Sequence, residues 1–547
     1  MRKSTRLIAL MLATVMVTAT AISGCGKKNN GGGSHQGGNA NGISTDVPLK
    51  IGVVKKGYGD EFAYKLAEAF EKKTGIETVV EKSSSAVAWV DTALKSGAKN
   101  NDLDIIFDIN SNIMKAVATK AYVSGYDRCY ADLSDIYDSK LEGYDTDKTL
   151  KEMLFDYSLK ACTWGGEEEG YGDGKQYAVN WASGIEGLVY NHGLFEKYNL
   201  SVPKTSNELL ALLSKMQELN KGSYAQNKDG YTTYPFVYAG DNDYTKYLTT
   251  VWWAQYDGID SFENCLQAKN AGGVYSAEAI KSAGRLSALK ILEKIIGAKT
   301  GNCSSDCSSL NFTNAQVLFL DEQAFMIPTG DWLEREMEAN FEGELNIKFM
   351  PIPVNSDIIK NCKTVTTDEQ LSEVISYIDG DIAEKPSYVS DEDFEYIRSA
   401  RSMYMNEGGQ HVAYIPAYSN NLAAAKMFLQ FMLSKEGQEI MLQYSYGNMA
   451  PLNVDATTME YAKELSPFQQ SKLELYNAMG GMTLVGLNYV HPMNYAGGWN
   501  ITPSWNESMG VEAHLDTYKS AMDIWKKDYE NAVKNWELTI SKSGMSN

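Results

Sequence analysis

The sequence is short of the residue types that most catalytic and nucleic-acid-binding sites require. Its five histidines are scattered, and none forms an HxxxH or HExxH pair, so the pattern does not indicate a metal centre. No GxSxG stretch or Cys/His arrangement indicates a nucleophilic enzyme. The net charge is −20, with 50 Lys and Arg against 70 Asp and Glu. This balance excludes a nucleic-acid partner, because phosphate contacts need basic clusters.

Long apolar runs are lacking everywhere except near the N-terminus. There, residues 7–22 form an uncharged apolar segment behind a basic head, which is the layout of a secretory signal. The segment ends in ISGC, residues 22–25, which resembles the bacterial lipobox, so Cys25 is expected to carry a lipid. We therefore predict a lipoprotein signal peptide over residues 1–24. The Gly- and Asn-rich residues 25–45 are predicted as a flexible tether, since they have little apolar surface to bury.

The length and the cysteine content of the chain limit its domain organisation and the disulfides or metal sites it could form. A chain of 547 residues is too long for one hydrophobic core, so two or more domains are expected. An even number of cysteines remains after the lipid-carrying one, which permits disulfides in an exported protein but leaves their pairing open. These six are Cys129, Cys162, Cys265, Cys303, Cys307 and Cys362. The CxxxC spacing of Cys303 and Cys307 lacks a second pair or a nearby histidine, so it does not favour zinc.

Hydrophobic periodicity predicts an α/β architecture. Apolar, β-branched runs at residues 47–54 and 103–109 read as strands, and the segment between them begins with a helical pattern that ends at Gly75. The same alternation returns later, with strands over 175–191 and a helix over 208–219. Strands that alternate with amphipathic helices predict a largely parallel sheet.

Four stretches in a fixed order carry a family resemblance. They are EFAYKLAEAFEKKTGI, YAVNWASGIEGLVYNHGLFEKYNLSVPKTSNELLAL, AFMIPTGDW and AAAKMFLQFMLSKEGQEIM. Over residues 47–450 they resemble the sugar-binding family (family 1) of extracellular solute-binding proteins of ABC importers. The chain departs from the family pattern at Ser206 and His192, carries an extra segment over 355–405, and has a long C-terminal section. These departures leave the identity of the ligand open.

The resemblance implies a two-lobed, periplasmic-binding-protein-like (type II) α/β fold with a ligand cleft between the lobes and crossing hinge strands. Lobe one is then expected over residues 46–158 and 347–435, with the insertion at 355–405. Lobe two is expected over residues 159–346 and 436–540. Such proteins close around their ligand by a hinge motion.

Sugar binding requires aromatic rings for the apolar C–H faces and paired polar groups for the hydroxyls. We predict such contacts where predicted strands end at the cleft, and Trp332 matches the cleft tryptophan of the family. The candidate ligand-binding residues are Lys56, Tyr58, Asp108, Asn110, Asn180, Trp181, Tyr238, Asp241, Asn242, Asp331, Trp332 and Trp499. The alternatives are that Asp108 caps the next helix, that Trp332 belongs to the core, and that Trp499 lies on a surface turn.

The function expected from these features is that of a non-catalytic receptor. It would bind a carbohydrate, in particular an oligosaccharide, and deliver it to the permease subunits of an ABC transporter. We expect a monomer without a cofactor, lipid-anchored on the extracytoplasmic face of a bacterial cell membrane. One alternative is a receptor for another solute, such as a peptide or polyamine. Another is an exported glycoside hydrolase, which would need two carboxylates about 5–10 Å apart.

Overall fold

The computed structural model describes most of the chain between residues 47 and 485. The described residues are 47–55, 57–83, 103–108, 128–166, 171–266, 269–270, 272–274, 276, 282–297, 299–341, 345–406, 411–477, 483–485, 527, 530–531 and 534–535. The predicted signal peptide, Cys25 and the tether lie outside them, as do the candidate residues Lys56, Asn110 and Trp499.

Fourteen strands lie within these residues. They are β1 Leu49–Val54, β2 Thr78–Ser83, β3 Ile105–Asp108, β4 Thr163–Gly166, β5 Tyr171–Gln176, β6 Val179–Asn180, β7 Glu186–Asn191, β8 Ala225–Gln226, β9 Thr232–Phe236, β10 Ala324–Gly330, β11 Ile347–Met350, β12 Met403–Met405, β13 Val412–Tyr414 and β14 Thr483–Val485.

The α-helices of the described residues follow in chain order. They are α1 Glu61–Thr74, α2 Ser134–Tyr137, α3 Leu150–Met153, α4 Asp156–Cys162, α5 His192–Lys197, α6 Ser206–Met216, α7 Lys246–Asp257, α8 Ile259–Leu266, α9 Ala283–Ile296, α10 Phe312–Leu320, α11 Leu333–Met337, α12 Asp368–Ile378, α13 Asp391–Arg401, α14 Leu422–Leu433, α15 Lys435–Tyr444 and α16 Pro467–Asn477. None of the helices in this part of the chain is long and apolar enough to cross a membrane.

Local sequence signals explain where several helices begin and end. Helix α1 buries Phe62, Leu66 and Phe70 on one face and ends at Gly75, whose φ of 75° suits a residue without a Cβ. Helix α6 begins after Thr205, whose hydroxyl accepts a hydrogen bond from the backbone N–H of Glu208. These two helices confirm the sequence prediction for this part of the fold.

Two sheets organise the structure. The first has the order β2-β1-β3-β13-β6, with parallel pairs β1–β2 and β1–β3 and antiparallel pairs at β13. The second has the order β14-β12-β7-β10-β9-β8, and β11 also pairs with β7. Its central β7–β10 pair is antiparallel. Both sheets therefore mix strand directions more than the predicted, largely parallel arrangement.

In the part of the chain that the structure describes, three connections lead from one sheet to the other. Residues 181–185 join β6 to β7, and residues 406–411 join β12 to β13. The third passage follows α15, which packs on α1, and leads to α16, which packs on β11 of the second sheet. Sheet membership would place β6 with lobe one and β11 with lobe two. The lobe boundaries themselves stay a prediction.

The insertion at 355–405 has a small hydrophobic core of its own, formed by α12, α13 and the chain just before them. Its buried members include Val354, Ile358, Leu371 and Ile397. This unit is hydrogen-bonded to helix α7. The buried amide of Gln255 on α7 donates to the carbonyl of Ala400 at 3.0 Å. Helix α13 begins with three acidic residues in its first turn, where they interact favourably with the helix dipole.

Candidate ligand site where the sheets meet

The three crossing segments are tied together by side-chain hydrogen bonds. The Oδ1 atom of Asn448 accepts the backbone N–H groups of Ser183 at 3.1 Å and of Met449 at 2.9 Å. The Nδ2 atom of Asn406 donates to the carbonyl of Gly184. Tyr476 of α16 donates to Ser183, with its hydroxyl 2.8 Å from the Ser183 Oγ. Backbone of the first and third crossings is therefore bonded by buried polar side chains, one of them Asn406 from the second crossing, as burial of such backbone requires.

Asp331 lies at the centre of this region, directly after β10. Its Oδ1 accepts the hydroxyl of Tyr58 at 2.6 Å, and its Oδ2 accepts Lys472 Nζ at 2.7 Å and Asn448 Nδ2 at 3.3 Å. The side chains of Asp331 and Lys472 are only 3% and 1% exposed. We call Tyr58, Asp331, Asn448 and Lys472 the hinge network. It places a fully buried ion pair where the chain crosses between the sheets.

The approach of Tyr58 depends on a glycine. A Cβ atom at Gly184 would lie 1.9 Å from the Tyr58 hydroxyl, which no side chain could tolerate. Tyr58 follows β1 of the first sheet and Asp331 follows β10 of the second, so their hydrogen bond joins the two sheets. Burial first, and then the charge of Asp331, raises the pKa of Tyr58 well above its usual value. The phenol therefore stays a donor throughout the physiological range.

Trp332 lies beside Asp331 but has different surroundings. Its half-buried indole contacts Tyr58, Tyr244 and Tyr247 with ring centroids 6.2–6.4 Å apart in edge-to-face geometry. The Nε1 atom of Trp332 is buried and has no hydrogen-bond partner among the described residues. We call Trp332, Tyr244 and Tyr247 the aromatic cluster. It combines apolar ring surface with an unused N–H donor.

Trp181, on the first crossing, is built into the interior. It is 2% exposed, stacks on Phe62 at 4.8 Å and donates its indole N–H to the carbonyl of Asp108 at 2.9 Å. The carboxylate of Asp108 accepts the hydroxyl of Tyr414 at 3.1 Å. Asn180 is equally buried, and its Oδ1 accepts the thiol of Cys162 at 3.2 Å. These three candidate residues therefore lie close together beneath the crossing, with polar atoms bonded inside the protein.

His411 ends the second crossing and was not among the candidates. Its ring lies 5.1 Å from that of Tyr58 and 5.3 Å from that of Trp181. Burial lowers its pKa to about 4, although the charge of Asp331 acts in the opposite direction. The imidazole is therefore neutral at pH 7, and its buried Nδ1 finds no partner in the described part of the chain. No local motif marks this histidine in the sequence.

The remaining candidates lie on the loop between β9 and α7. Tyr238 is buried, whereas Asp241 and Asn242 are exposed. Asn242 uses its Oδ1 to accept the backbone N–H of Phe312 at 2.8 Å. The same loop and the first turn of α7 carry Tyr244 and Tyr247 of the aromatic cluster, which the sequence analysis missed. Their spacing of three residues at a helix start was the available signal.

The chemistry of these groups suits binding of a neutral solute. Within the described residues, no group of three or more His, Cys, Asp and Glu side chains could hold a metal ion. None of the six cysteines of this region forms a disulfide. The structure brings together Tyr58, Asp331 and Trp332, with Trp181 and Asp108 packed behind them. Their part in ligand binding stays a prediction.

Two mixed sheets joined by three crossings, with an aromatic cluster at the junction, are the architecture of a two-lobed solute receptor. The family model for bacterial extracellular solute-binding proteins matches residues 65–466. The chain belongs to this family. No curated protein matches the sequence.

Solved structures share the fold at low sequence identity. The bacterial solute receptor AcbH is 14% identical, with a TM-score of 0.52, covering 88% of this chain and 99% of its own. A structure associated with xylan utilization by Caldanaerobius polysaccharolyticus is 13% identical, with a TM-score of 0.49 and coverages of 90% and 99%. Apo RafE from Streptococcus pneumoniae is 15% identical, with a TM-score of 0.49 and coverages of 91% and 98%. The likeness to AcbH agrees with an α/β solute-receptor fold.

Proposed function

We propose that this extracellular solute-binding protein is a non-catalytic receptor for a carbohydrate, in particular an oligosaccharide, which it passes to the permease subunits of an ABC transporter. The observation that carries the proposal is the aromatic cluster. Trp332 offers a half-buried ring, flanked by two tyrosines, and an indole N–H without a partner among the described residues. A sugar satisfies both, because its C–H face packs on the ring and a hydroxyl accepts the N–H.

The neighbouring groups support a neutral ligand rather than a charged one. Asp331, the carboxylate next to Trp332 in the chain, is already paired with Lys472 at 2.7 Å. His411, close to Tyr58, is neutral because burial lowers its pKa to about 4. A peptide or polyamine would need a counter-charge that these residues do not offer. AcbH is described as a receptor with an exclusive preference for β-D-galactopyranose, which makes galactose the first sugar to test.

The test is thermal unfolding of the full chain, kept soluble in detergent, against galactose, galactose-containing oligosaccharides and xylo-oligosaccharides. A ligand at about 100 times its dissociation constant should stabilise the native state by about 2.7 kcal/mol. The stabilisation should disappear in Trp332→Ala and persist in Tyr231→Ala, since Tyr231 is 59% exposed and lies outside the aromatic cluster.

Recovery of each stabilising sugar by chromatography separates a receptor from an enzyme. Intact sugar supports the receptor, and cleaved sugar would establish a glycoside hydrolase instead. If no sugar stabilises the protein, the carbohydrate proposal fails and peptides and polyamines become the next panel.

We further propose that a lipid on Cys25 anchors the protein to the extracytoplasmic face of the cell membrane, where a monomer meets its permease. The support is the sequence ISGC after an apolar signal-like segment. Mass spectrometry of the membrane-extracted protein should find a diacylglycerol on Cys25. Cys25→Ala should appear in the medium, and a membrane-bound Cys25→Ala protein would contradict the anchor.

A further inference from the structure

A cavity opens at the third crossing, and none of its lining residues belongs to the aromatic cluster. It encloses about 300 Å³ between the start of α1, the end of α15 and the start of α16. Three tyrosines and three polar side chains dominate its lining, and we call it the hinge pocket. They are Tyr444, Tyr446, Tyr461, Glu61, Gln443 and Glu464. Its volume is that of a small ligand site.

Most polar groups of this pocket are unused by the protein. Among the described residues, the carboxylates of Glu61 and Glu464, the amide of Gln443 and the hydroxyls of Tyr444 and Tyr461 have no hydrogen-bond partner. Glu61, Gln443 and Glu464 are exposed, and Tyr444 and Tyr461 are half-buried, so a ligand in the pocket can reach these groups. Five available donors and acceptors around one concave aromatic surface are what a polyhydroxylated ligand requires.

Charged side chains surround the pocket. Lys65 places its Nζ 5.7 Å from the centroid of the Tyr444 ring and interacts electrostatically with the lining residue Glu61. Arg335 lies 5.4 Å from the Tyr446 ring on the other side. Two of the three rings thus already carry a cation of the protein on one face. Each of these cations is paired with a carboxylate outside the lining, Lys65 with Glu68 and Arg335 with Glu338. Glu61 and Glu464 therefore remain as acceptors for ligand hydroxyls and would repel a ligand anion.

Tyr446 adopts a strained backbone conformation. Its φ of 58° lies in the left-handed region, which a bulky residue adopts only when its surroundings enforce it. The hydroxyl of Tyr446 donates to Glu338 at 3.0 Å, which fixes the ring against the pocket wall. Strain maintained in an aromatic residue that lines a cavity is characteristic of binding sites.

We propose that the hinge pocket is a second carbohydrate site, which takes one or two sugar rings on its tyrosines and bonds their hydroxyls through Glu61, Glu464 and Gln443. This site is separate in space from the aromatic cluster and would exist even if that cluster bound another solute.

Both sheets contribute to the pocket walls. Glu61 starts α1, which packs on the first sheet, whereas α16 packs on β11 of the second. Glu334 of α11 accepts hydrogen bonds from Ser466 at 2.8 Å and from Gln469, a lining residue. Since α11 begins directly after Trp332, this pocket wall is hydrogen-bonded to the segment that carries Trp332. Occupation of either site should therefore change the affinity of the other by the same factor.

The test is calorimetric titration of the full chain with galactose and lactose. Trp332→Ala removes the aromatic cluster's main ring, so any sugar binding that remains reports on the hinge pocket. We expect Trp332→Ala to retain one binding event that Tyr461→Ala and Glu464→Gln each weaken by about tenfold or more. Tyr231→Ala is the matched control and should leave that event unchanged, because Tyr231 is exposed elsewhere on the surface.

Two outcomes would overturn the hinge-pocket site. One is the absence of any sugar binding to Trp332→Ala at tens of millimolar, and the other is residual binding that Tyr461→Ala and Glu464→Gln leave intact. If the two pocket variants keep the unfolding temperature of the parent protein, a loss of sugar binding cannot be attributed to a loss of folding. A wild-type protein without a Trp332-dependent event would refute the proposed receptor function but not this site.

Discussion

Asp331 and Trp332 are neighbours in sequence, yet they belong to two regions with opposite character. In the hinge network, both oxygens of Asp331 accept hydrogen bonds from the protein. Its charge is paired with Lys472, and the side chain of Asp331 is only 3% exposed. In the aromatic cluster, the ring of Trp332 is half-buried and its N–H has no partner among the described residues. Asp331 therefore faces Lys472 and Asn448 at the crossings, whereas Trp332 packs against Tyr244 and Tyr247.

The difference teaches how to separate structural from ligand-binding polar groups in this junction. A group whose hydrogen-bonding capacity is used inside the protein supports the fold, and its removal should lower the free energy of unfolding. A buried group left without a partner costs stability and is available to a ligand. Mutations at the two regions should therefore differ in which measurement they change.

The largest effect is expected from Lys472→Met. Removing the ammonium leaves Asp331 as a buried charge without its cation, and methionine keeps a similar unbranched shape. Breaking such a pair should lower the free energy of unfolding by about 3–5 kcal/mol. Chemical denaturation of both proteins measures this difference.

The control for this variant is Lys140→Met. Lys140 forms its ion pair with Asp147 on the surface, where the two side chains are 60% and 100% exposed. Loss of such a pair should cost at most about 1 kcal/mol. Equal effects of the two variants would show that the hinge network does not depend on its buried charge.

Glu336 on α11 is a carboxylate without a cation beside it in the described part of the chain, and its pKa shows the effect. Glu336 accepts the amide of Gln316 at 2.8 Å, and burial raises its pKa from 4.5 to about 7 despite that bond. The folded state therefore favours the protonated acid. The stability that Glu336 contributes is complete below pH 4.5 and is lost as the pH rises through 7.

Glu336→Gln should remove this pH dependence. Above pH 7 the variant should be more stable than the wild type by on the order of 3 kcal/mol, and near pH 4.5 the two should be equal. Denaturation curves at intervals across this range measure the crossover. Parallel curves for the two proteins would mean that Glu336 is not desolvated in the folded state.

Tyr58→Phe tests the hydrogen bond that joins the sheets. The phenol donates to a carboxylate, so its loss should lower the free energy of unfolding by about 1.5–3 kcal/mol, while the ring contacts remain. Tyr231→Phe, at an exposed position, is the matched control and should be neutral. A neutral Tyr58→Phe would place the hydroxyl outside the hinge network.

The sequence was sufficient for much of the fold. Periodicity and end signals predicted α1 with its cap at Gly75, and helix α6, which was expected over 208–219. These are local features, because a helix face or a cap is set by residues within a few positions. Mixed strand directions in the sheets were not predicted, since pairing of β13 with β3 joins segments far apart in the chain.

The candidate site was harder to predict from the sequence for the same reason. The residue types at strand ends pointed correctly to the neighbourhood of Tyr58 and Trp332, which the structure brings into contact. The partners of Asp331 could not be predicted, because Tyr58 lies 273 residues before it and Lys472 lies 141 after it. Which polar groups remain available to a ligand depends on such distant contacts.

The smallest and most informative change is Trp332→Phe, which keeps an aromatic ring and removes the indole N–H. Because that N–H has no partner among the described residues, its loss should leave the free energy of unfolding unchanged or slightly higher, opposite in sign to Tyr58→Phe. Sugar affinity should fall by about tenfold, the worth of one hydrogen bond of about 1.4 kcal/mol. Calorimetry measures the sugar affinity, and chemical denaturation measures the free energy of unfolding. A variant that loses stability but keeps its affinity would move Trp332 from the candidate cleft to the core.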